Sequence, residues 1–228
     1  MKLLVSDYDK TIEVEGIFRK DHIPRGTISG IEKFMDEGNL FMIATARPYD
    51  SIMYEVERYG IPYNFISSLN GCIVHDSNKE VIYSKDTISL NLKKLRKLYS
   101  CIEKIETIKD KDKVLYYTFK TKLFTSSKRL IQRLEARGFD VQSWFMNTYS
   151  IAHAESNKVD SINFIQDRYN ITDNDVIVVG DSDDDLQMIE DYFSYGVVKP
   201  LPNADVMSEC NVKVKSLKEA LKHINKNI

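Results

Sequence analysis

The segment Leu3-Leu4-Val5-Ser6-Asp7-Tyr8-Asp9-Lys10-Thr11 carries an apolar run straight into two carboxylates and a hydroxyl. The run reads as a short buried strand. Asp7 and Asp9 are two positions apart, so at a strand end they can project to one side. Acids this close repel each other unless a cation lies between them, and hard oxygen ligands of this kind suit Mg²⁺. A buried carboxylate without a partner is costly, so the pair needs a physical reason. A polar turn capping the next element is the other explanation, and the segment by itself leaves both open.

The flanking sequence alternates strand and helix signals. Thr27 to Gly38 predicts a helix with Ile28, Ile31, Phe34 and Met35 as its apolar stripe and Gly38 as its stop. Leu40 to Ile43 predicts a second buried strand that ends in Ala44-Thr45-Ala46-Arg47-Pro48. A helix closed by Gly60 and a strand near Tyr63–Ser67 follow. Such alternation implies parallel pairing with crossover helices, and ligands of such sheets bind beyond the carboxyl ends of the strands. Asp7, Asp9 and Thr45 all fall at those ends.

From about residue 78 to 155 the pattern changes. Asn70-Gly71 and Asp76-Ser77-Asn78 are turn signals around a hairpin-like Cys72–His75. Leu90 to Ile105 predicts a lysine-rich amphipathic helix whose basic residues form a solvated face. Strands at Val114–Lys120, Asp140–Met146 and Tyr149–Ala154, with a helix over Ser126–Arg137, suggest an α+β unit inserted into the first architecture. That architecture resumes with a helix over Val159–Tyr169, introduced by Lys158, and a strand over Val176–Val179. This strand ends in Gly180-Asp181-Ser182-Asp183-Asp184-Asp185, four acids within five residues. A calcium loop between helices would need a preceding helix and a later glutamate, which are lacking. A helix N-terminus tolerates acids, but Asp181 precedes the predicted helix.

Composition narrows the function classes. With 228 residues and 43% hydrophobic content the chain can bury a sizeable core, as one large or two small domains. Its 32 basic and 34 acidic residues are well mixed, at a formal charge of −2, which argues against a nucleic-acid surface. Cys72, Cys101 and Cys210 match no zinc spacing and suggest a reducing compartment. Without a signal-peptide pattern or a membrane-length apolar run, a cytoplasmic protein with no membrane partner is expected.

In their order along nearly the whole chain, Asp7-Tyr8-Asp9-Lys10-Thr11, Thr45, Lys158 and Gly180–Asp185 resemble the four motifs of the haloacid dehalogenase (HAD) superfamily. More narrowly, the chain is similar to the Cof-type (subclass IIB) sugar-phosphate phosphatases, which insert a cap between the second and third motifs. Asn70-Gly71 and Asn203-Ala204 also sit where that branch has such pairs. The resemblance implies an α/β fold: a Rossmann-like core of residues 1–77 and 156–228 with an inserted α+β cap of C2B type at 78–155.

The resemblance further implies that Asp7 attacks phosphorus, forming an aspartyl-phosphate, while Asp9 protonates the leaving oxygen and then activates water. Mg²⁺ would be held by Asp7, the Asp9 carbonyl and Asp181, with Asp185 orienting the metal cluster or Lys158. Thr45 and Lys158 would bind phosphoryl oxygens, and Lys158 would keep Asp7 anionic. Arg47 either contacts the site or borders the helix that Pro48 starts. Three positions depart from the family pattern. Lys10 stands for a glycine, Ala46 for a glycine that lets the backbone approach phosphate, and Asp184 for an asparagine on the phosphate side. In the cap, His153, close before Lys158, is the expected substrate contact; Trp144, Tyr149 and Arg129 are further candidates, with packing the alternative for Trp144. The expected substrate is a small phosphomonoester such as a sugar phosphate, and the expected assembly a monomer or weak homodimer. A phosphomutase of the same superfamily, a non-catalytic phosphate sensor and a phospho-acceptor signalling domain are the alternatives. The last is shorter and lacks an inserted unit.

Overall fold

The computed structural model describes residues 1–14, 22–86, 89–145, 147–153, 157–199 and 201–227. Strand β1 (Leu3–Ser6) lies between β2 (Leu40–Ala44) and β10 (Val176–Gly180), parallel to both. Being covered on both faces, these three strands read as continuous apolar runs. Beyond β2 come β3 (Phe65–Ser68), β4 (Ile73–Asp76) and β5 (Val81–Ser84); beyond β10 come β11 (Phe193–Val197) and β12 (Val212–Val214). The sheet thus has eight strands, parallel from β12 through β3 and antiparallel at β4 and β5.

Alternation along the strands builds two apolar layers. Leu4, Phe41 and Ile43 face α1 (Thr27–Asp36), α2 (Tyr49–Tyr59) and α8 (Leu217–Asn227). Leu3, Val5 and Val178 face α5 (Lys158–Tyr169), α6 (Leu186–Asp191) and α7 (Ala204–Glu209). The sequence reading assigns no elements after α6, so β11, α7, β12 and α8 come from the structure alone.

A second, antiparallel sheet has the order β6 (Ile102–Asp110), β7 (Lys113–Thr121), β9 (Thr148–His153), β8 (Phe139–Phe145). Helices α3 (Leu92–Leu98) and α4 (Lys128–Glu135) cover one face, where Leu95, Leu130 and Leu134 meet Ile105, Phe119 and Ile151. On the opposite side Leu115, Tyr116 and Ala152 pack against Leu69, Cys72 and Ile73 of the first sheet's β3–β4 connection. Among the described residues no helix is long and apolar enough to cross a membrane.

Two expectations need correction. The helix expected over Leu90–Ile105 ends at Leu98, and Ile102 onward is β6. The nine-residue strand pairs with β7 at eight positions, so cross-strand packing of its β-branched residues overrides the helical spacing of Leu98, Ile102 and Ile105. Also, residue 78, the expected start of the insertion, falls inside a hairpin of the first sheet. The Asp76 carboxylate accepts from the backbone N–H groups of Asn78 and Glu80 and turns the chain back into β5.

Candidate active site

The carboxyl ends of β1, β2 and β10 and the start of α5 converge on one point, and Asp7, Lys158, Asp181 and Asp185 meet there. Asp7 leaves β1 6% exposed, its backbone N–H bound to the Val179 carbonyl. The Lys158 ammonium, 2% exposed at the first turn of α5, donates to Asp7 Oδ1 at 2.7 Å and to Asp185 Oδ1 at 2.6 Å. Asp185 Oδ2 accepts from the backbone N–H of Asp181 and from both the N–H and hydroxyl of Ser182. Both Asp185 oxygens are therefore engaged by the protein, and its visible work is to hold Lys158 and the Asp181–Ser182 turn. Gly180 makes this possible, since a Cβ there would lie 2.5 Å from Asp185 Cβ. Asp181, 2% exposed, accepts from the Thr11 hydroxyl at 2.9 Å and pairs with the Lys199 ammonium.

Charge in this site is unevenly offset. Burial pushes the Asp7 carboxyl up to about 7; Lys158 pulls it down, and the charges of Asp185 and Asp9 push it up again. Burial pulls the Lys158 ammonium down, but Asp185 and Asp7 outweigh it and hold it above the ordinary lysine range. Asp7, Asp181 and Asp185 each offer an oxygen within 4.8 Å of the others. Three buried carboxylates against the two ammonium groups of Lys158 and Lys199 leave an excess of negative charge. An all-oxygen donor set with this excess fits a hard divalent cation.

Asp9 is outside that cluster. Its carboxylate, 45% exposed, takes a two-point contact from Arg47: Nε to Oδ2 at 2.9 Å and Nη2 to Oδ1. Arg47 lies over the Tyr8 ring, 5.0 Å from its centroid, and 3.8 Å from Glu13. The Thr45 hydroxyl is buried and accepts from the Arg47 backbone N–H at 3.1 Å, which leaves its own proton to donate. Lys10, where a glycine is usual, has φ 64. Asp184 is exposed, and its charge adds to the upward shift of Asp140 on β8.

A pocket of about 580 Å³ opens beside Asp9, lined by Ala46, Arg47, Ser51, Tyr54 and Glu55, and closed from the second sheet by Gln142 and Ser143. The side chains of Trp144 and His153, and with them the expected His153 contact, lie outside the described residues. Tyr149 stacks on Phe119 at 4.6 Å and hydrogen-bonds Ser127, within the helix-covered face. Arg129 sits on α4, which covers that face. Gln142 and Ser143 were invisible to sequence reasoning because strand register decides which β8 residues reach the pocket.

Gly71 was legible only as half of a turn signal, yet it shapes the site. Leu69, Asn70 and Gly71 all have positive φ, at 52, 51 and 87. The Leu69 and Asn70 N–H groups bind the carbonyls of Arg47 and Thr45. A Cβ on Gly71 would lie 1.9 Å from the Asn157 carbonyl oxygen and 3.3 Å from Lys158 Cα. The Asn157 side chain caps α5 through the Asp160 N–H, and the Ser161 hydroxyl binds the Lys158 carbonyl while accepting from Ser67. One turn thus adjoins both the Thr45–Arg47 loop and the lysine.

A family model described as haloacid dehalogenase-like hydrolase matches residues 4–106 and 87–199. No curated protein matches the chain significantly. Among solved structures, an HAD subclass IIB sugar phosphatase superposes with a TM-score of 0.70 at 16% identity, covering 99% of each chain. A phosphatase of the haloalkanoate (HAD) enzyme superfamily from Bacteroides thetaiotaomicron gives 0.71 at 17%, covering 99% of this chain and 95% of that one. A putative HAD/COF-like hydrolase from Plasmodium vivax gives 0.73 at 16%, covering 100% and 96%. At such identities the likeness establishes the fold, core and cap together.

Proposed function

Because the chain belongs to the haloacid dehalogenase-like hydrolases, we propose that it is a Mg²⁺-dependent phosphatase acting on a small phosphorylated metabolite, such as a sugar phosphate, through an aspartyl-phosphate on Asp7. One observation carries this reading: a buried carboxylate at a strand end, held by a buried lysine within a triad of acids at ligand distance. Asp7, Asp181 and the Asp9 carbonyl would hold the metal, which when bound neutralises phosphoryl charge.

The chain's own residues account for the remaining steps. Lys158 pulls the Asp7 carboxyl down against the larger effect of burial, favouring its ionised form, and offers its charge to the phosphoryl oxygens. The Asp7 oxygen attacks phosphorus as the ester oxygen leaves, and Thr45 donates its hydroxyl to a non-bridging oxygen. Asp9, at the pocket mouth, gives a proton to the leaving oxygen and then takes one from the water that opens the acyl phosphate. Arg47 must loosen its hold on Asp9 for this, and its pocket position lets it turn to substrate. Ala46 borders that pocket, while the charge of Asp184 is felt at Asp140 of β8, on the cap side. The unit of α3, α4 and β6–β9 serves as the cap, with Gln142 and Ser143 against the leaving group.

The test is phosphate release from a generic aryl phosphate, with and without Mg²⁺, by the wild type and Asp7→Asn. Turnover that requires both Mg²⁺ and Asp7 is expected. Turnover that survives Asp7→Asn would overturn the assignment, and dependence on a bis-phosphorylated activator would make the protein a mutase.

A further inference from the structure

On the cap face turned away from the first sheet, α3 and α4 border a groove of about 390 Å³. Its floor is apolar: Leu95, Leu130 and Leu134 present the outer edges of core side chains, and Leu98 beside them is 56% exposed. Lys94, Arg133 and Arg137 also line it. Arg133 lies in the last turn of α4 and Arg137 in the turn that follows the helix, and both border the same groove. Among the described residues none of these three side chains has an ion pair or hydrogen bond. Helices α3 and α4 together hold seven basic residues and one acid, Glu135, in a chain whose overall charge is only −2.

A solvated basic face explains exposed lysines, but not three cations gathered around leucines. Like charges around one groove repel, and an exposed leucine over an apolar floor gains by being covered. We propose that the groove binds a small amphipathic anion, with an acyl or aryl body on the leucines and a carboxylate or phosphate head on Arg133, Arg137 and Lys94. The volume lies in the range of small-molecule sites. With seven residues, α3 is only about 10 Å long, too short a wall for a partner helix. The Asn91 side chain is spent on capping α3, so the groove has little with which to read a nucleobase. The site lies across the second sheet from the acid cluster and does not depend on the phosphatase reading.

Calorimetric titration of the full chain with decanoate, decyl phosphate, decanol and inorganic phosphate tests this. Both amphipathic anions should saturate one site, with decanol and inorganic phosphate at least about tenfold weaker. The pair Arg133→Gln and Arg137→Gln should weaken the anions by about tenfold or more, and Leu98→Ser, which removes an exposed side chain, by about fivefold. The tighter of the two anions identifies the head group. Equal binding of decanol and decanoate, an absence of saturable binding, or affinities unchanged in the folded variants would overturn the proposal. Decyl phosphate binding that survives the arginine substitutions but is lost in Asp7→Asn would place it at the acid cluster and likewise overturn it.

Discussion

Asp7 sets the acid–base behaviour of the metal-free protein. Its carboxyl titrates near 7 in the folded chain against 3.8 in the unfolded one, so the native state binds the extra proton between these values. Stability without metal is therefore expected to fall as pH rises from about 4 to about 7, by at most about 4 kcal/mol. Denaturant unfolding in a chelator at several pH values should show this slope, and Asp7→Asn should flatten it and raise stability at neutral pH. Lys10 makes a second case at the same scale. With φ 64 it occupies the left-handed region, where a side chain costs about 1 kcal/mol. Lys10→Gly should stabilise the protein by roughly 0.5–1 kcal/mol in the same measurement.

Among the elements, those flanking the acid cluster were legible because each strand is buried on both faces and each helix has a clear stripe or stop. Leu3–Val5, Leu40–Ile43 and Val176–Val179 could be read without knowing their partners. Ile102 and Ile105 could not, because their spacing suits a helix as well as a strand and only pairing with β7 decides. Gln142 was hidden for a similar reason: its direction depends on register. The Gly71 turn shows what sequence reading misses when steric contact is the cause. Gly71→Ala forces the Asn157 carbonyl aside and should move Lys158 by enough to cost about 100-fold in kcat. Gly60→Ala, also at positive φ but with nothing within 4 Å of the added carbon, should cost about 1 kcal/mol of stability and leave kcat unchanged. Equal losses of kcat in the two variants would deny the steric argument.

For the molecule as a whole, the proposed function assigns chemistry and recognition to different sheets. The acid cluster belongs to β1, β10 and the turns beside them, whereas Gln142 and Ser143 reach the pocket from β8. Gln142→Ala should lower kcat/KM for the preferred metabolite about tenfold while leaving hydrolysis of a generic aryl phosphate within about twofold. Parallel steady-state assays of the two substrates check this, and a uniform fall would place Gln142 in the shared chemistry instead.

The two sheets nevertheless share the segment from Leu69 to Ile73. Its backbone binds the carbonyls behind Thr45 and Arg47, its glycine adjoins Lys158, and its apolar side chains seat Leu115, Tyr116 and Ala152. Modularity therefore has its limit at this segment. A cap transplanted from another family member would have to bring its own version of these five residues, or carry surfaces shaped to fit them. Swapping the caps of such enzymes is a problem of matching one turn before it is one of matching substrates.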